Sequence, residues 1–162
     1  MSDACYINIG SNQGDRMANI DRAVALIADR LAATPNLSDP VESEPWGYTS
    51  DSPYLNVGLL VHTAMAPDSL LDTLLDIQQS ISPAPHRNPD GTYADRLIDI
   101  DLIACGETVV NDRTTPAGNR LTLPHPRMHL RPFVLIPMLQ LDPDWRHPLS
   151  GLTPSGMLDE LK

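Results

Sequence analysis

The stretch RLIDIDLIACG, residues 96–106, places two aspartates, Asp99 and Asp101, inside an aliphatic run that otherwise reads as a buried strand. Residues i and i+2 of a strand share a face, so both carboxylates project together, and Ile98, Ile100 and Leu102 face the other way, under helices. Two like charges so placed repel, and one would hold its proton unless a cation stands nearby. Either one sheet face is wet here, or the carboxylates hold something positive.

The position of this strand in the chain decides the fold. Before it, CYINIG alternates and ends at Gly10, a first strand. The loop GSNQGD leads into an amphipathic helix whose predicted stripe is Met17, Ile20, Val24, Ile27 and Leu31. LSDPVESEP reads as a short extended segment compatible with a sheet edge, and PWGYTSDSP as a loop. YLNVGLLVHTA is a strand with Leu55, Val57, Leu59 and Val61 on one face and Tyr54, Asn56, Gly58, Leu60 and His62 on the other. APDSLLDTLLDIQQSI is a helix opening on Pro67, followed by the loop SPAPHRNPDGTYAD. The order strand-helix-strand-strand-helix-strand predicts an α+β, ferredoxin-like fold with a mainly antiparallel sheet packed with helices. Extra C-terminal elements follow: extended ETVVN and LTLPHP, a helix over RPFVLIPMLQL with Pro137 as a kink, and a final helix in TPSGMLDELK. A doubly wound parallel sheet is the alternative, but the helical crossovers are too few.

At 162 residues the chain is expected to form one domain, 1–162, burying roughly 70% of its unfolded surface. No apolar run approaches the roughly 18 residues of a membrane span. The start, MSDACYINIG, lacks the basic flank of a signal peptide, so a cytoplasmic protein is expected. Cys5 and Cys105 sit in apolar strand-like runs, match no metal-ligand spacing, and read as buried thiols. A net charge of −10 argues against nucleic acid or an anionic membrane as partner. The basic charge is distinctive: Lys162 is the only lysine, and seven arginines fall between Arg87 and Arg146. Arginine suits bidentate recognition of phosphate or carboxylate.

A bare D-x-D in a strand is a weak metal signal, and an edge strand with one solvated face explains it as well. Hard oxygen donors of this kind suit Mg²⁺, which completes its shell with waters and substrate phosphates. The neighbourhood strengthens that reading. LTLPHPRMHLRPF supplies His125, Arg127, His129 and Arg131 within seven residues, with Arg120 and Thr122 just before, a set that resembles a phosphate clamp. A P-loop is excluded because it needs an internal lysine. A nucleotide here would have to be held by carboxylate-bound metal and arginines.

YINIGSN, EPWGYTSDSPYLN, DRLIDIDLIACG and LPHPRMHLRPFVLIPMLQLDP, in that order, resemble the 6-hydroxymethyl-7,8-dihydropterin pyrophosphokinase family of folate biosynthesis over nearly the whole chain. The resemblance implies pyrophosphoryl transfer from ATP to the pterin hydroxymethyl group, releasing AMP. It implies two Mg²⁺ ions held by Asp99 and Asp101, and Arg96 as a catalytic residue stabilising the transferring group. ATP contacts are implied at Arg96, Arg120, Thr122, His125 and Arg131. Tyr54 and Phe133 match the two rings that sandwich the pterin, with Asn56, Ser43 and Trp46 completing its recognition. Small-molecule substrates, no nucleic acid, no membrane and a monomer are the corresponding partner expectations.

The loop before Arg96 departs from the family pattern: it is poorer in arginine, with Arg87 as a replacement cation for ATP, and Gln78 stands where members carry an acidic residue. Loss of loop cations would weaken transition-state stabilisation. A relative that binds nucleotide or pterin without turnover is therefore the alternative. An RNA-binding ferredoxin-like domain and a Mg²⁺-dependent phosphohydrolase are further, less favoured readings.

Overall fold

The computed structural model describes residues 3–44, 52–83 and 97–162. Trp46, Arg87 and Arg96 lie outside the described residues. The order is β1 (Asp3–Ser11), α1 (Arg16–Leu31), β2 (Asn36–Leu37), β3 (Val41–Ser43), β4 (Tyr54–Thr63), α2 (Pro67–Ile81) and β5 (Asp99–Cys105). Then come β6 (Val110–Thr114), β7 (Arg120–Leu123), a 3₁₀ turn (Met128–Leu130), α3 (Pro132–Leu141) and α4 (Pro154–Glu160).

β1 lies between β4 and β5, and β2 and β3 both pair with β4, every pairing being antiparallel. This is the expected ferredoxin-like arrangement, with its second strand split into β2 and β3. Pro40 falls in the split, where a residue without an N–H interrupts the ladder. Ser38 bridges the gap: its N–H donates to the Gly58 carbonyl, and its hydroxyl accepts from the Gly58 N–H at 2.8 Å.

Strand alternation sends Cys5, Ile7 and Ile9, Val57, Leu59 and Val61, and Ile98, Ile100 and Leu102 to one face, where α1 and α2 close the main core. α1 starts at an Asp15 cap that accepts from Ala18 N–H, and buries Ile20, Ala23 and Ile27. The predicted stripe is corrected at its first position: Met17 is 36% exposed, because the helix rolls Ala23 inward and leaves its first turn above the core. α2 buries Leu70, Leu71, Leu74, Ile77, Gln78 and Ile81. Cys5 and Cys105 are directly opposed across β1 and β5, both buried and free.

The other sheet face is divided. Tyr6, Ile103 and Ala104 are covered by Val134, Leu135 and Met138 of α3, with Trp145 and Met157 completing a second core. Tyr6 donates to Asp142, and the Trp145 indole N–H donates to the Gly106 carbonyl at 2.8 Å. α3 stops short of the rest of the face, and that part carries the polar side chains. β6 and β7 form a separate hairpin, whose turn is tied to α2 by Asp72, which accepts from Thr115, Ala117 N–H and Asn119. Among the described residues no helix is long and apolar enough to cross a membrane.

Candidate active site

The antiparallel register builds the site as rows across the open sheet face. Gly10 of β1 lies between Asn56 of β4 and Asp99 of β5; one step along, Asn8 lies between Gly58 and Asp101. The carboxylates thus occupy one side of the face, Asn56 and Tyr54 the other, and β1 runs between them. Above these rows opens a cleft of about 270 Å³, lined by Asn8, Gly10, Ser43, Glu44, Tyr54, Asn56, Asp99, Asp101, His125, Pro126, Arg127, Arg131 and Phe133.

β5 begins at Asp99, and alternation along it sends both aspartates to the open face. Its outer edge is fixed from α2: the buried Gln78 side-chain oxygen accepts from the Ile100 N–H at 2.8 Å. Ile100 is the residue between the two aspartates, so this bond sets the backbone from which both carboxylates project.

On the far side, Asn56 donates to the Val41 carbonyl at 3.1 Å and to the Ser43 hydroxyl at 2.8 Å. Its donors are thereby committed to β3, and the amide meets a ligand as an acceptor, whereas the sequence permitted either role. The Asn56 Oδ1 lies over Gly10, 3.0 Å from where a Cβ would stand, and Tyr54 Cδ1 is 3.1 Å from the same point. Gly10 therefore keeps the slot beside Tyr54 open. Gly58, on the same strand face as Asn56, serves packing instead. A Cβ there would stand 2.5 Å from Pro137 Cβ, so Gly58 is the seat of α3.

Phe133 enters from the first turn of α3, and the Arg131 guanidinium lies 5.7 Å from its ring centroid. Arg131 Nη1 also stands 3.7 Å from Asp101 Oδ2. Arg131 thus joins the aromatic wall to the carboxylates. His125 is anchored by its N–H to the Ile103 carbonyl at 2.8 Å, and its Nδ1 accepts from Arg127 N–H at 3.1 Å. Burial first, then the nearby charges of Arg131 and Arg127, push its pKa down to about 4, against a partial opposing effect of Asp99. The ring is neutral at pH 7 and presents Nε2–H as a donor.

Of the residues singled out in the sequence, the cleft gathers Ser43, Tyr54, Asn56, Asp99, Asp101, His125, Arg131 and Phe133. Arg120 and Thr122 are not among its lining residues; they share one face of β7, where Arg120 pairs with Asp112. Arg127, one of the basic set that resembles a phosphate clamp, lines the cleft too, and Asn8, Gly10, Glu44 and Pro126 join the lining without having been singled out. The alternation of YINIG places Asn8 and Gly10 on one face, and only the pairing register shows that this is also the face of the aspartates.

The donor set fits a hard divalent cation in part. Asp99 and Asp101 offer carboxylate oxygens into one cleft, yet the described residues include no cluster of three or more His, Cys, Asp or Glu able to hold a metal. A cation bound here would take its remaining ligands from water and from a substrate's phosphates, which is how Mg²⁺ is commonly held. The neutral histidine and the two arginines complement phosphate oxygens, and the Tyr54–Phe133 side suits a flat ring.

Comparison with known proteins agrees with this geometry. Residues 6–143 match the family model described as 7,8-dihydro-6-hydroxymethylpterin-pyrophosphokinase. A relative from Porphyromonas gingivalis, named 2-amino-4-hydroxy-6-hydroxymethyldihydropteridine pyrophosphokinase, is 34% identical over 88% of this chain and 92% of its own. One of the same name from Methylorubrum extorquens is 33% identical over 94% of this chain and 95% of its own. Among solved structures, wild-type Plasmodium falciparum HPPK-DHPS with pteroate superposes with a TM-score of 0.75 at 12% identity. It covers 99% of this chain, which spans 42% of that longer protein, and the likeness speaks to fold. By the family match and by these relatives, the chain belongs to the 7,8-dihydro-6-hydroxymethylpterin-pyrophosphokinase family.

Proposed function

We infer that the protein transfers pyrophosphate from ATP to the hydroxymethyl group of 6-hydroxymethyl-7,8-dihydropterin, giving AMP and the pterin diphosphate in folate biosynthesis. The observation that carries this reading is the shared cleft: an aromatic slot with an amide acceptor on one side of β1, and two carboxylates with arginines on the other. In the reaction the hydroxymethyl oxygen attacks the β-phosphorus. The bond from that phosphorus to the α–β bridging oxygen breaks, AMP leaves with the electron pair, and the hydroxyl proton passes to solvent.

Tyr54 and Phe133 would hold the pterin ring, while the Asn56 oxygen accepts from its N–H edge and Ser43 and Trp46 complete the recognition. Asp99 and Asp101 would hold two Mg²⁺ ions, which when bound supply charge neutralisation of the triphosphate. Arg131 and neutral His125 donate to phosphate oxygens without themselves changing protonation. The nucleoside would extend from His125 along β7, toward Thr122 and Arg120. Arg96, as catalytic residue, and Arg87 are assigned to the phosphates from sequence alone. The reading includes one domain over 1–162, acting as a cytoplasmic monomer on small molecules and without nucleic acid, in keeping with the net charge of −10.

The test is AMP formation from ATP and Mg²⁺ that depends on the hydroxymethyl-dihydropterin. Binding of both substrates without AMP would leave a non-catalytic relative, and phosphate release without pterin would indicate a phosphohydrolase.

A further inference from the structure

Asn8 is 4% exposed, and its side-chain oxygen is buried with no hydrogen-bond partner among the described residues. An unpartnered buried amide oxygen is a destabilising choice for a central strand, where an aliphatic side chain would carry no desolvation cost. Its location supplies the reason. Asn8 lines the cleft, in the row shared with Asp101, one step diagonally from Asn56.

A ring held beside Tyr54 and Asn56 can reach a phosphate near Asp99 and Asp101 only by sending its exocyclic arm over β1. β1 contributes two residues to the cleft at that crossing, Gly10 and Asn8. Gly10 has no side chain, so Asn8 supplies the only side-chain group β1 places there. The arm of the proposed substrate ends in an O–H, a donor that matches the orphaned acceptor.

We propose that Asn8 is a substrate-positioning residue whose amide oxygen accepts the hydrogen bond of the attacking hydroxyl, an inference that rests on the pterin reading above. The amide takes no proton. By holding the O–H on the Asn8 side, it turns the oxygen lone pairs toward the phosphates on the β5 side. It also makes the cleft selective for an arm that ends in hydroxyl over one that ends in methyl.

The test is calorimetric and needs no turnover. Wild-type protein and Asn8→Ala are titrated, in EDTA so that no metal can bind the hydroxyl, with 6-hydroxymethyl-7,8-dihydropterin and with its 6-methyl analogue. Wild type should prefer the hydroxymethyl compound by roughly three- to ten-fold, the net worth of one hydrogen bond. Asn8→Ala should bind the two equally while keeping its affinity for the methyl analogue. If Asn8→Ala does not fold, Asn8→Leu, of similar reach and without a polar atom, repeats the comparison. A preference that survives in the variant overturns the assignment, as does equal weakening of both ligands, which would mark a structural role. If wild type binds neither pterin, the substrate reading falls and this one with it; if it binds both without preference, only the role of Asn8 falls.

Discussion

Replacing Gln78 with methionine removes the bond by which α2 holds the middle of the carboxylate strand. Among the described residues β5 pairs with β1 on one edge, and on its other edge the Ile100 N–H is satisfied by the Gln78 oxygen at 2.8 Å. Gln78 is 7% exposed, so water has little access to replace it. Methionine preserves length and apolar volume but removes the acceptor. Leaving one buried N–H unsatisfied costs about 1–3 kcal/mol. For a chain of this size each kcal/mol moves Tm by about 2–4 °C, so Gln78→Met should melt roughly 2–12 °C lower. Gln78→Glu keeps an oxygen at the same reach and should recover most of that loss. The same substitution loosens the segment between Asp99 and Asp101, and misplacement there should lower kcat for AMP formation about ten-fold or more. Circular-dichroism melts and a coupled AMP assay on the three proteins decide the matter. A Gln78→Met protein that melts within 1 °C of wild type with unchanged kcat would refute the reasoning.

The remaining expectations concern the glycines, the carboxylates and the histidine. Gly58→Ala drives a Cβ to 2.5 Å from Pro137 Cβ and should cost about 1–3 kcal/mol in thermal or urea unfolding. Gly10→Ala, at 3.0 Å and 3.1 Å from Asn56 and Tyr54 atoms, should instead weaken pterin binding in calorimetry while lowering Tm by less than Gly58→Ala does. Asp99→Asn should abolish AMP formation yet leave the melting temperature in EDTA unchanged or higher, because it relieves repulsion from Asp101. His125 has a folded-state pKa of about 4 against an ordinary 6.5, so the unfolded chain binds the proton first. Its contribution to stability is full above about pH 6.5 and is lost as the pH falls toward 4; His125→Gln should flatten that slope in melts between pH 7.5 and pH 5.

What the sequence disclosed follows from how local each feature is. The alternation in β4 and β5 declares both faces of each strand, so the buried isoleucines and the projecting aspartates are legible without a partner strand. Helix α2 announces itself through Pro67 and its leucine repeat. Met17 was misplaced because a stripe read at the helix end does not say how far the first turn overhangs the core. Parity likewise gives the face of Gly58, but not that α3 rests on that stretch of it. The commitment of Asn56's donors to β3, and the meeting of Asn8 with Asp101, depend on registers between segments distant in the chain. Arg120 and Thr122 lie in the extended stretch read from the sequence, and only the tertiary placement of β7 shows that they stand apart from the cleft lining.

The seating of Pro137 on Gly58 gives the molecule a thermal property. The helix that carries Phe133 packs on the same sheet face that carries Asn8 and Gly10, so one wall and the floor of the ring slot are joined through the second core. Loosening that wall requires breaking contacts of the second core around Tyr6 and Trp145. On warming, the slot should stay tight and then fail abruptly, with ring affinity and the near-ultraviolet signal of Trp145 disappearing in one step rather than two.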